Sequence, residues 1–580
     1  MTRVYDYFKL LFQTYKIFFK ATLLISVVVV ALTPLEALAP VLGVQAGQRL
    51  VDQLSAQQPY GYFFCLWTLA TVLSQVLPVV GTNFQGMLTD KLTGFIKLSL
   101  MRKSQQLNSL ELFDDSDFFD DLEVLNEGAS WRPVNLIVFG VAILREVVTI
   151  SGMFWLLGKY NVWLALLLLG VLVPQTLVSY RIQQEAFETM VTRSKYARKL
   201  NYLSSLLLAR DDAKEVRLFD MFSAVITRYL KLFNLSQKNV DQIRRKQMFL
   251  ALVFLSMTVA VSAGGFWWFI GQVQQKLLGI GALLMYISVI AYLVEGMTRL
   301  VEDSSLLYDS LLWVKKYQRF LEFKEKQTDG TLEFKGDFKK LKLEHVSFTY
   351  PFSKVEVLHD LNLEFNAGEK IAIVGENGSG KSTLVKLLLR YYDPSKGQIL
   401  LDETPLSMYQ CASYRKYLSA AFQDFSRFKL SVAANVSALK KGPISKIKAC
   451  LARVGLTTLE ADLQQNLSKE FDHGTELSGG QWQKIALARC LYKDSSLCFL
   501  DEPTSALDAR SEQQMYQEFL AADTGQTILF VTHRMSAVHL ADRVLFLKNG
   551  TIAGFAPHAQ LLRTDQTYRE LYQLQKDAYK

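Results

Sequence analysis

Residues 375–383 read GENGSGKST, directly behind the apolar run Ile371-Ala372-Ile373-Val374 and ahead of a run of helical character, Leu384 to Arg390. Strand, glycine-rich loop and helix in this order predict a phosphate-cradling P-loop. Gly375, Gly378 and Gly380 free the backbone to curl, so that successive N–H groups converge on phosphate oxygens. Asn377, Ser379 and Thr383 belong to the same cradle. Lys381 adds a cation for the outer phosphates, and the Ser382 hydroxyl suits Mg²⁺. The start of the helix contributes its own partial positive charge. The stretch implies a nucleoside triphosphate site.

A second apolar run, Ser496 to Leu500, ends in Asp501 and Glu502. A carboxylate at a strand end can hold the metal through water, and its neighbour can act as general base toward an attacking water. Between the two lies Leu477-Ser478-Gly479-Gly480-Gln481. This LSGGQ run resembles the signature of the ATP-binding cassette (ABC) family, and its surroundings follow that family's pattern. Tyr350, after the strand run Val346-Ser347-Phe348-Thr349, resembles the aromatic residue that stacks on adenine. Gln423 resembles the glutamine that senses the γ-phosphate and metal. Ser505-Ala506-Leu507-Asp508 matches the D-loop, and His533, after the apolar run Thr527 to Val531, matches the switch histidine. The resemblance implies that the signature of one cassette closes over ATP held by the P-loop of another. One cassette per chain therefore implies a dimer.

The chain has 580 residues, enough for two or three domains. Half are hydrophobic, and the excess is concentrated before about residue 310. The five cysteines, Cys65, Cys411, Cys450, Cys490 and Cys498, show no metal-ligand spacing and are expected as free thiols. The formal charge of +9 is better explained by basic residues gathered on one side of a membrane than by nucleic acid, because no polybasic run or RNA-recognition pattern accompanies it. No cleavable leader is expected either, since the first apolar stretch lacks a small-residue cleavage site.

Candidate transmembrane helices run at roughly 20–45, 60–82, 133–158, 161–182, 248–271 and 277–299, each near the ~20 residues a bilayer core requires. Lys91, Lys97, Arg102 and Lys103 fall in the first long connection. Arg193, Lys195, Arg198, Lys199, Arg244, Arg245 and Lys246 fall in the second. The short connections carry only Arg49, Lys159 and Lys276. The distribution puts both termini, both long connections and the cassette in the cytoplasm. The expected fold is an all-α six-helix transmembrane domain (1–325), a linker (326–340) and an α/β P-loop nucleotide-binding domain with a helical subdomain (341–580). This whole-chain pattern resembles the exporter-type half-transporter of the ABC family. In that architecture Leu112 to Asp121 and Ala209 to Phe219 resemble coupling helices, and charge reversal at Asp211 and Asp212 is expected to uncouple hydrolysis from transport.

Charges inside the spans are costly and face the bundle interior or water. Glu36, Arg145, Glu146 and Glu295 are of this kind. Arg145 and Glu146 project about 100° apart on a helix, so each is expected to pair with another helix rather than with its neighbour. Trp267 and Trp268 are expected as interface anchors. None of these identifies a cargo: a drug, a lipid or a peptide would each suit.

The reading that follows is an ATP-driven, Mg²⁺-dependent exporter working by alternating access in a bacterial plasma membrane. The motifs show no departure from consensus, which points to a homodimer, with a separately encoded partner as the other possibility. Two alternatives remain: a siderophore importer with the exporter fold, and a membrane regulator gated by ATP without pumping. An intact Glu502 argues against the second, because a switch that only binds has no use for a general base.

Overall fold

The computed structural model describes residues 10, 14–187, 195–209, 212–503, 512, 515–521, 525–532 and 534–578. Its contacts divide the chain into two compact units, Met1–Ser104 with Asp121–Glu322, and Gln105–Asp120 with Phe323–Lys580. Among the described residues before 323, which also include helical positions 14–21, the bounded helices are α1 (Leu23–Ser55), α2 (Gly61–Gln105), α3 (Glu111–Asp114), α4 (Ser116–Gly128), α5 (Arg132–Gly158), α6 (Val162–Phe187), α7 (Lys195–Leu208), α8 (Ala213–Leu218), α9 (Phe222–Gln274) and α10 (Gly281–Glu322).

Six of these, α1, α2, α5, α6, α9 and α10, hold segments long and apolar enough to cross a membrane. The hydropathic spans mark only parts of them. Helices α2, α9 and α10 run for 45, 53 and 42 residues, well past the apolar segment. Apolar composition must stop where the bilayer stops, whereas i→i−4 hydrogen bonding continues into water as long as the propensity permits. Among the described residues, the two long connections therefore combine helical extensions of the spans with the separate helices α3, α4, α7 and α8. Of the expected coupling segments, the first is broken at Asp115, which leaves the helical region at ψ 107° and separates α3 from α4. The second contains α8, with Arg210 and Asp211 outside the described residues.

The interior of the first unit is apolar where helices cross. Val41, Ile150, Met153, Leu168, Phe269, Met285, Val289 and Leu293 form one buried cluster. Polar contacts also join its helices. Arg132 meets Asp309 at 2.7 Å with both side chains nearly buried, and Trp313 donates to the Val124 carbonyl at 3.2 Å. Glu36 is buried against Gly81, whose missing Cβ leaves room for the carboxylate. Arg145 reaches Glu36 at 4.0 Å and also its chain neighbour Glu146 at 3.4 Å. The expectation that Arg145 and Glu146 would avoid each other is thus corrected. A long guanidinium spans the 100° between adjacent positions, so one cation serves two carboxylates. Glu295 pairs with Arg299 one turn on, and both are exposed. Trp267 is exposed, while Trp268 packs edge-on against Phe269.

In the second unit, strands β1 (Lys340–Thr349), β2 (Glu356–Asn366), β4 (Lys396–Leu401) and β5 (Thr404–Pro405) form an antiparallel sheet ordered β2-β1-β4-β5. A six-stranded sheet is ordered β10-β9-β3-β8-β7-β6, built from β3 (Lys370–Gly375), β6 (Leu418–Ala421), β7 (Leu497–Asp501), β8 (Thr527–Val531), β9 (Arg543–Lys548) and β10 (Thr551–Ala556). All its pairings are parallel except β9 with β10. Its strands read as unbroken apolar runs because both faces are covered. Alternate residues go to opposite cores. Ala372, Val374, Cys498, Leu500, Ile528 and Phe530 face a cluster with Trp482 and Ile485. Ile371, Ile373, Phe499, Leu529 and Val531 face the antiparallel sheet and the helix after the P-loop, α11 (Lys381–Leu388). That helix stops two residues before Arg390, which turns left-handed at φ 54°. Phe334, in the stretch expected as linker, packs edge-on against Tyr409, Tyr414 and Tyr417.

Candidate functional site: a nucleotide-binding edge

Four parallel strands, β3, β8, β7 and β6, lie side by side and finish at the same edge of the sheet, where ligands of such sheets bind. Register aligns their ends: Ile373 and Asp501 both face Val531, and Ala421 faces Leu500. The loops that leave these strands carry the P-loop, the Asp501–Glu502 pair and Gln423. Strand β8 ends two residues before His533, which lies outside the described residues, as does Asp508.

The P-loop turns through left-handed backbone at Gly378 (φ 79°) and Gly380 (φ 97°), conformations that cost a side-chain-bearing residue dearly. At Gly380 a Cβ would also run into Leu358. Asn377 and Ser382 are exposed; Ser379, Lys381 and Thr383 are buried. Lys381 Nζ donates to the carbonyls of Gly375 and Glu376, at 2.9 and 2.8 Å. Burial lowers the Lys381 pKa, and the Glu502 and Asp501 carboxylates oppose that shift. Asp501 moves the other way: burial raises its carboxyl, with the Ser382 hydroxyl beside it counteracting.

Asp501 Oδ1 is buried and has no hydrogen-bond partner among the described residues, an expensive arrangement for a carboxylate. That orphaned oxygen beside the Ser382 hydroxyl suits a divalent cation, with Gln423 the third residue assigned to it. When bound, such a cation supplies charge neutralisation on the phosphates. Glu502 sits in a left-handed conformation (φ 47°), its N–H bonded to the Val531 carbonyl at 3.1 Å. Its Oε2 accepts from Gln423 Nε2 at 2.7 Å. Gln483, which the motifs did not single out, donates to the Glu502 carbonyl at 3.4 Å. It carries no periodic or compositional signal, and only its hydrogen bond to the Glu502 carbonyl reveals it.

Ser478 caps helix α15; numbering from α11, the intervening helices are α12 (Cys411–Lys416), α13 (Val432–Ser437) and α14 (Ile444–Arg453), and α15 is Gly479–Tyr492. Its hydroxyl accepts from the Gln481 N–H at 3.3 Å, and Gln481 Oε1 accepts from the Ser478 N–H at 2.9 Å. This capping box leaves the N–H groups of Gly479 and Gly480 outside the reciprocal pair, at the positive end of the helix. A Cβ at Gly479 would meet open space. The signature is thus a helix N-terminus stripped of side-chain cover.

Tyr350 stands beside the loop, its hydroxyl 3.0 Å from that of Thr383 and its ring 5.5 Å from Lys386 Nζ. Residues 358–505 match the ABC transporter family. The chain carries the ATP-binding domain of an ABC transporter. A subtilin transport ATP-binding protein from Bacillus subtilis is 26% identical over 96% of the transporter and 93% of its own length. A nisin transport ATP-binding protein from Lactococcus lactis is 27% identical over 97% and 95%. An ATP-dependent lipid A-core flippase from Sodalis glossinidius is 28% identical over 75% of each chain. A solved bacterial Atm1-family ABC exporter with ATP bound covers 95% of the transporter and 98% of itself, with a TM-score of 0.77 at 22% identity. The transporter therefore has the exporter fold, and its cassette couples ATP hydrolysis to transport across a membrane that its six apolar helices cross.

Proposed function

We propose that the transporter works as a homodimeric exporter in a bacterial plasma membrane, with both termini and both cassettes in the cytoplasm, and that its cargo is an amphipathic peptide. The observation that carries the enzymatic part is the 2.7 Å hydrogen bond from Gln423 to Glu502, beside Asp501 and the P-loop. It holds a general base at the strand edge where a γ-phosphate would be attacked. Lys381 takes the outer phosphates, Ser382 and Asp501 take Mg²⁺, and Tyr350 takes the base. Ser478, Gly479, Gly480 and Gln481 of one chain close over the P-loop of its partner, joined by Asp508, while His533 contacts the γ-phosphate. The peptide assignment is supported by extent: the subtilin and nisin relatives align along nearly the whole chain, membrane helices included. The flippase from Sodalis glossinidius aligns over three quarters. The comparisons favour neither an importer nor a passive gate.

The deciding experiment is ATP turnover and mass of the chain purified alone in lipid nanodiscs, beside Glu502→Gln. A dimer whose turnover vanishes in the variant supports the proposal. An inactive monomer refutes the homodimer, and turnover that survives the substitution refutes the general base.

A further inference from the structure

Tyr350 does not end its contacts at the nucleotide loop. Its ring meets Tyr392 edge-to-face, with centroids 5.4 Å apart and planes at 82°. Phe348 closes the triangle, 4.9 Å from Tyr350 and 5.4 Å from Tyr392. Rings packed this closely cannot shift one at a time, because the interior has crystal-like density. Tyr392 is 5% exposed, and its hydroxyl donates to Asp114 Oδ2 at 2.7 Å. Burial, reinforced by that carboxylate, holds the phenol far above its usual range. It therefore stays protonated and donating at any physiological pH.

Asp114 ends α3, in the segment 105–120 that belongs to the cassette's own unit. Other bonds hold the same segment: the Leu110 N–H to the Tyr391 carbonyl at 3.2 Å, Arg415 to the Asn108 carbonyl at 2.8 Å, and the Ser109 N–H to Glu325 at 2.8 Å. The consecutive residues Tyr391 and Tyr392 thus grip it once through backbone and once through a side chain. Only one of these grips, the Tyr392 phenol, is continuous with the ring assigned to the base.

We propose that Tyr392 is a positioning residue that reports the seating of adenine on Tyr350 to the segment around Asp114, so that this segment senses the base rather than the phosphate chain. The inference rests on the nucleotide assignment made above. A base stacked on Tyr350 fixes the triangle of rings; the fixed triangle orients the Tyr392 hydroxyl, and that hydroxyl holds Asp114.

The test is hydrogen exchange of amides 108–115 in the full chain in nanodiscs: without ligand, with Mg-ADP, and with Mg-tripolyphosphate, an anion lacking the base. Each ligand is used at a concentration shown by titration to saturate. ADP is expected to slow exchange roughly tenfold, a size set by one hydrogen bond to a charged group, and tripolyphosphate to leave it unchanged. In Tyr392→Phe, which keeps the ring, and in Asp114→Ala, the slowing should disappear while ADP affinity stays within about twofold. Slowing retained in both variants overturns the relay, as does equal slowing by tripolyphosphate. Loss of ADP affinity in Tyr392→Phe makes Tyr392 part of the binding site and overturns it too. Failure of the wild-type chain to bind ADP overturns the nucleotide assignment itself, a result distinct from the others.

Discussion

Glu502 and Gln423 show what one hydrogen bond can be asked to do. Removing the general base in Glu502→Gln should lower kcat by about 10²–10⁴-fold with ATP still bound, as steady-state turnover and ATP binding measured side by side would show. Gln423→Ala leaves the carboxylate in place and unsteers it. Turnover should fall roughly ten- to a hundredfold, since a hydrogen bond to a charged group is worth about 1.5–3 kcal/mol. A rise in KM without that fall in turnover would mean that Gln423 serves the metal and nucleotide and does not steer the base. Most of these residues were legible in the sequence because each sits in a short motif whose spacing follows from the chemistry. Tyr392 and Gln483 were not. Their importance comes from neighbours distant in the chain, at Asp114 and Glu502, and no local pattern encodes such pairings. The cysteines were legible as free thiols, and all five are. Burial raises the thiol pKa of Cys411 and Cys498 from 9.0 to about 11. Below that value the folded thiols are neutral, so alkylation of these two should stay slow from pH 7 to 9. In the unfolded chain it should accelerate as pH approaches about 8.5, the ordinary thiol value. Mass spectrometry of labelled peptides reads both.

At the scale of elements, the capping box of α15 and the ion pair joining α5 to α10 make separate claims on stability. Ser478→Ala should cost the cassette about 1 kcal/mol and Ser478→Thr only a few tenths, because threonine still caps. Chemical denaturation followed by cassette tryptophan fluorescence would register the difference. Asp309→Ala leaves the Arg132 guanidinium nearly buried without its carboxylate, a defect worth about 3–5 kcal/mol. It should lower the thermal midpoint of the first unit far more than any exposed pair does, Glu295 with Arg299 for example. The strands of the parallel sheet were legible as apolar runs, and the helix after the P-loop from its position. Helix ends were not: hydropathy ends with the bilayer, and nothing in α2 or α9 marks the point where an apolar helix becomes a polar one. The break at Asp115 was hidden as well, inside a run of acidic and aromatic residues that reads as one amphipathic helix.

For the molecule as a whole, shared nucleotide sites carry a prediction that no single chain can test. Lys381→Ala disables a P-loop and Ser478→Arg disables a signature, so each variant alone should be inactive as a homodimer. Coexpressed and purified through two different tags, the mixed dimer keeps one P-loop facing one intact signature and should recover turnover. Continued inactivity would refute sites shared between chains. The long helices add a mechanical consequence. At about 1.5 Å per residue the 53 residues of α9 form a rod of about 80 Å, against a hydrocarbon core of about 30 Å. A swing of about 5° about one end carries the other through roughly 7 Å, more than a full helical turn. A lever of that length turns a displacement the size of one side chain into the opening of a gate, and its stiffness determines how faithfully the stroke arrives.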